Sequence, residues 1–135
     1  MIGQATILAS FLLAAAQVPS PPQKPDDRPA PSQPVLPPYQ AKVERLAELM
    51  GTLSFMRELC GAADGVLWRD KMAELLAAEG TTETRRDRLA GAFNRGLQEY
   101  RITYRRCTAS ANLVIERSLN EGSKLARDLS VQFGS

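Results

Sequence analysis

The chain has 135 residues, 44% hydrophobic and 24% charged, with a net charge of +2 and no histidine. That length allows one small domain, and so small a charge excess gives no reason to expect a nucleic-acid partner. The missing imidazole excludes His-dependent serine or cysteine triads and ordinary haem ligation. With only two cysteines it also leaves a zinc site short of two ligands, so no cofactor is expected.

Residues 1–16 read as a signal peptide. The apolar run from Ala5 to Ala16 is the length of a signal core and short for a bilayer span. Ala14 and Ala16 suit the small-x-small cleavage rule, which makes Gln17 the expected mature N-terminus. No Lys or Arg precedes the run, so an uncleaved anchor in the inner membrane and a start further upstream remain alternative readings.

Residues 17–39 follow as a Pro-rich linker. All nine prolines lie between Pro19 and Pro38, and VPSPPQKPDDRPAPSQPVLPP has many fixed φ angles and little apolar surface to bury. An extended, solvated segment is the expectation.

From 40 to 135 proline is absent and apolar residues recur at three and four, which predicts an all-α domain. The first helix spans about 40–60, burying Val43, Leu46, Met50 and Leu53, flanked by Leu49, Phe55, Met56 and Leu59. Gly61 stands where a left-handed C′ residue ends a helix. Asp64 is the expected N-cap of a second helix, 65–79, with Leu67, Trp68, Met72, Leu75 and Leu76 on its apolar face. Gly80 stops it. A third helix starts near TTETRRD, where Thr84 and Asp87 resemble a loosened capping box and Thr81 or Thr82 is the alternative cap. It carries Leu89, Phe93, Leu97, Tyr100, Tyr104 and Cys107 inward. The fourth, 109–132, is capped by Thr108 or Ser110 and buries Val114, Ile115, Leu119, Leu125, Leu129 and Phe133. Gly51, Gly91, Gly96 and Gly122 inside helices hint at close crossings.

Short connections make consecutive helices antiparallel, giving a small up-down-up-down four-helix bundle. Cys60 and Cys107 then end helices one and three at the same pole. Two cysteines in an exported domain are most simply a disulfide; a free thiol at Cys60 and a metal site are the alternatives.

The polar residues offer less. Glu58, Asp64 and Asp70 lie near one turn, and paired acids hydrolyse glycosides, although capping and local ion pairing account for them too. Thirteen arginines stand against four lysines, and Thr81 to Cys107 alone carries a balance of +4. On a helical wheel Arg88, Arg95 and Arg106 fall opposite the apolar face, with Arg101 and Arg105 on a flank. That stripe is a candidate surface for an anionic partner, against the plain reading of a solvated face. Trp68, Tyr100 and Tyr104 either line an apolar pocket or are ordinary core.

The segments ELMGTLSFMRELCG, LWRDKMAELLAAEG, LAGAFNRGLQEYRITYRRCT and EGSKLARDLSVQFG together resemble an uncharacterised family of small exported alphaproteobacterial proteins. The likeness covers about residues 43–134. It implies a disulfide between Cys60 and Cys107 and brings no activity, cofactor or substrate. The expectation is therefore a periplasmic, non-enzymatic helical domain that binds an envelope protein or an anionic envelope surface. No nucleic-acid partner is expected, and membrane contact only if the N-terminal segment is uncleaved. A carrier of a small apolar ligand or lipid is the alternative, and a carboxylate-dependent cell-wall hydrolase the third reading.

Overall fold

A computed structural model describes residues 16–24, 29–30 and 32–134. Most of the expected signal peptide, including Ala14, lies outside the described residues. The chain divides into Met1–Ser32 and Gln33–Ser135. The described residues of the first unit are exposed and have no regular secondary structure.

The second unit contains four helices and no strand among its described residues: α1 Gln40–Leu59, α2 Gly65–Glu79, α3 Glu83–Thr103 and α4 Ala109–Phe133. No described helix is long and apolar enough to cross a membrane.

Local chemistry sets the helix ends. Gly61 takes φ +81°, and the Gly61 and Ala62 amides donate to the Glu58 and Arg57 carbonyls at 3.0 and 2.9 Å. That Schellman pattern satisfies two carbonyls α1 would otherwise leave open. Thr82 caps α3 by accepting from the Arg85 amide at 3.2 Å, and Thr108 caps α4 by accepting from the Ala111 amide at 3.0 Å. Asp64 precedes α2 as expected, but its side chain makes no cap. Its carboxylate instead accepts from Arg57 Nε at 2.7 Å, a stronger charge-assisted contact.

The helices form a bundle in which consecutive members run antiparallel, closed by a Cys60–Cys107 disulfide. Its axis is α1. Gln40 meets Arg85, Glu44 meets Arg88 and Thr52 meets Gly96, so α1 and α3 run parallel in direct contact. A Cβ on Gly51 would run into the Phe93 carbonyl oxygen, and one on Gly96 into that of Glu48. Here glycine is required by backbone approach. By contrast α4 lies on α1 alone, with no Cα within 8 Å of a Cα of α2 or α3.

This arrangement corrects the single-stripe reading of α1. Val43, Ala47, Leu49, Gly51, Thr52, Leu53, Ser54 and Met56 are all buried, which covers most of the circumference because three helices surround it. Leu46 and Met50 are only half-buried. On α2, Leu67 is 49% exposed, and on α4 Phe133 is 46% exposed. Both lie near the ends of their helices. A further correction concerns α3, which ends at Thr103: Tyr104 turns to extended backbone, with φ −107° and ψ 126°. Cys107 therefore sits in the connection, where it brings its Cα to 4.9 Å from that of Cys60.

Candidate functional site

The arginines of the α3 region divide into two sets. Arg85, absent from the predicted stripe, is the most committed. Its side chain is buried, with Nη2 donating to Glu79 at 2.6 Å, Nε to Gln40 at 2.9 Å and Nη1 to Thr81 at 3.2 Å. The guanidinium also lies 5.9 Å from the Tyr39 ring centroid. It ties α1, the end of α2 and the start of α3 together. Arg86 donates to the Gly80 carbonyl at 3.0 Å.

Arg88 pairs with Glu44 of α1 at 2.5 Å, so it does not face away from the packed side as the wheel suggested. Burial works upward on Glu44, but hydrogen bonds from Arg88 and Gln40 hold its carboxyl below the usual range. The Glu44 contact correspondingly raises Arg88. Arg88 is thus paired with a neighbouring helix, although about half of its side chain stays exposed.

Arg95, Arg101, Arg105 and Arg106 are exposed and make no ion pair or side-chain hydrogen bond among the described residues. Because the helix stops at Thr103, Arg106 leaves the register that placed it with Arg88 and Arg95, and Arg105 leaves the flank it shared with Arg101. Arg105 and Arg106 immediately precede the exposed Cys107 in the connection, while Arg101, in the last turn of α3, lines a hollow with Glu58 and Arg69. From Arg101 to Ile115 the chain carries these three arginines and no acid, and Ile102 and Leu113 are 73% and 49% exposed among them. The outcome is a cationic, partly aliphatic pole where the sequence suggested a stripe.

The aromatic residues do not converge either. Trp68 faces a groove of about 320 Å³ between α1, α2 and α4, lined by Leu49, Met50, Leu53 and Leu119. Its Nε1 is buried with no hydrogen-bond partner. Tyr100 lines a different hollow of about 290 Å³, a polar one between α1, α3 and α4. Burial, followed by the nearby Glu99 charge, pushes its hydroxyl above the usual range. Tyr104 stacks on Tyr100 at 6.2 Å and shares a 2.8 Å hydrogen bond with Ser110. A common pocket of Trp68, Tyr100 and Tyr104 is therefore not formed, because Trp68 and the tyrosines lie on different sides of α1.

The acids near the turn are partly occupied. Asp64 pairs with Arg57, and Glu58 approaches Arg69 at 3.5 Å, while Asp70 is exposed. Among the described residues no three side chains of Cys, Asp or Glu come together as a metal site. Across α1 and α4, Arg45 forms a two-pronged contact with Glu121 at 2.7 and 2.9 Å, which holds Glu121 below the usual carboxylate range.

The family model described as "Protein of unknown function (DUF2385)" matches residues 38–133, which takes in all four helices and both cysteines. Neither a curated protein nor a solved structure matches the chain.

Proposed function

The chain belongs to the DUF2385 family, whose description carries no activity, and from that premise we propose a role based on its own surface: a non-enzymatic, exported domain that binds an anionic partner in the cell envelope. The observation that carries this is the division of the arginines. Arg85, Arg86 and Arg88 are consumed by internal contacts, whereas Arg101, Arg105 and Arg106 stand exposed at the disulfide pole with no acid between Arg101 and Ile115. Guanidinium groups without an internal partner keep their planar donor forks available for carboxylate or phosphate.

Export is supported by two independent features: the apolar run at the N-terminus and the disulfide, a crosslink characteristic of oxidising compartments. A periplasmic location follows from them as part of the proposal. Ile102 and Leu113, in the same stretch of chain as these arginines, add exposed apolar area from which a partner would gain by excluding water.

The test is site-specific photo-crosslinking in intact cells, with the probe at Ile102 and, as a control, at the outward-facing Glu74. Adducts at Ile102 that vanish when Arg101, Arg105 and Arg106 are changed to Glu are the expected result. Adducts that persist unchanged in that variant would refute the proposal. Separately, two alkylatable thiols in unreduced native protein would refute export.

A further inference from the structure

The second and fourth helices flank α1 without meeting, since no Cα of α4 lies within 8 Å of α2. Between them runs a trough floored by α1. Two hollows of about 300 and 320 Å³ occupy it, and both use Leu46 and Ala126 as wall, so they adjoin. The floor extends from Tyr39 to Leu53, about 21 Å at the helical rise. Its lining is mainly aliphatic and aromatic: Leu49 and Leu53 below, Trp68 and Leu75 on α2, Leu119 and Leu129 on α4.

The two ends differ in charge. Lys71 stands at the Trp68 end, exposed and without an ion pair among the described residues. At the other end the acid Glu79 is already neutralised by Arg85, and the trough closes on the Tyr39 and Phe133 rings, 4.8 Å apart. One end thus offers a cation without an ion pair among the described residues, whereas at the other the charge is already paired and the two rings dominate.

We propose that this trough binds a single linear acyl amphiphile with an anionic head, the head at Lys71 and the tail running past Leu46 toward Phe133. Shape and charge select this occupant: the adjoining hollows follow α1 for about 21 Å, their lining is mainly apolar, and Lys71 is a cation that no acid pairs among the described residues. Each buried methylene would contribute about 0.8 kcal/mol, so a long chain gains enough to offset its ordering. The site is distinct from the arginine pole.

Trp68 is the chain's one tryptophan, so its fluorescence reports on the trough directly. Gly122 supplies a plug: it lines the trough, and a Cβ there would rest 3.9 Å from Leu46 Cδ1 and Leu49 Cδ1, in ordinary contact, so the side chain of Gly122→Leu starts at the trough wall. The experiment titrates the full, disulfide-bonded chain with a long-chain fatty acid brominated at mid-chain, below its micelle-forming concentration, and reads Trp68 quenching. The expected result is saturable quenching, weakened at least tenfold by Gly122→Leu at unchanged helicity and severalfold by Lys71→Glu. A brominated alcohol of the same length should be insensitive to Lys71→Glu. Displacement by an unbrominated fatty acid or by a lysophospholipid with an anionic phosphate distinguishes the two sources of the head. Absence of saturable quenching, quenching indifferent to Gly122→Leu, or filling of the trough by self-association would overturn the proposal. Changing Arg101, Arg105 and Arg106 to Glu should leave it intact, so its failure and failure of the envelope-partner reading are separable.

Discussion

The two sides of α1 are built on opposite principles. Toward α3 the backbones approach until only glycine fits, at Gly51 and Gly96, and Thr52 Oγ1 lies between the Glu48 and Gly96 carbonyls at 3.2 and 3.4 Å. Toward α2 and α4 the helices stand apart over larger side chains, Leu46 and Met50 half-buried and Leu49 and Leu53 buried. Small residues make a closed and rigid contact, because dispersion and burial are realised only at close approach. Large residues without a facing helix leave room, and that room is the trough. A bundle of this size thus concentrates its specificity on one side and its free apolar surface on the other.

The largest expected effect comes from breaking the staple that the two sides share. Changing Cys60 and Cys107 to Ser opens a crosslink spanning 47 residues and should cost about 2–4 kcal/mol, measured by urea unfolding. Hydrogen exchange should show α4 opening first, since α1 is its one helical neighbour; equal opening of α3 and α4 would contradict the asymmetry.

Next comes the glycine contrast. Gly96→Val forces its Cβ against the Glu48 carbonyl and should cost about 1–3 kcal/mol, whereas Gly122→Ala, whose Cβ would rest in ordinary contact with Leu46 and Leu49, should gain up to about 1 kcal/mol from helix propensity. Thermal unfolding of the two variants side by side reads both signs.

A smaller effect is expected at the α4 cap. Thr108→Ala leaves the Ala111 amide without its acceptor and should cost about 1 kcal/mol, seen as lower protection of the first turn of α4.

The smallest is the acid dependence of the clamp across α4. Glu121 is held below its ordinary value of 4.5 by Arg45, so the clamp's contribution is fully present above that value and is lost as pH falls through the lower, folded one. Both side chains are 44% exposed, so screening keeps the contribution below about 1 kcal/mol. Stability should fall on acidification, and Glu121→Gln should reduce that fall.

Much of the fold was legible because it is written in local chemistry. Helix stops at Gly61 and Gly80, caps at Thr82 and Thr108, and the shared pole of Cys60 and Cys107 need no knowledge of distant contacts. The candidate surfaces were less legible. Arg85 looked like any other helical arginine, and only the meeting of Gln40, Glu79 and Thr81 around it makes it internal. A signal did exist in Gln40 and Tyr39 at the start of α1, polar groups beside an apolar stripe that require a partner once buried. The end of α3 carried no punctuation, since the pattern of Leu97, Tyr100, Tyr104 and Cys107 continues helically past Thr103. That missed break took Arg106 out of register with Arg88 and Arg95, and Arg105 off the flank it shared with Arg101.

By itself the sequence determined the all-α class, four helices and their order, because period, glycine punctuation and capping act within a few residues. Tertiary structure alone decided that α1 is the axis, that Trp68 and Tyr100 face different hollows, and which arginines remain outside. Those outcomes depend on which helix faces which, and helix–helix choice follows from backbone approach at Gly51 and Gly96, a property of pairs of distant residues that no single stretch of chain displays.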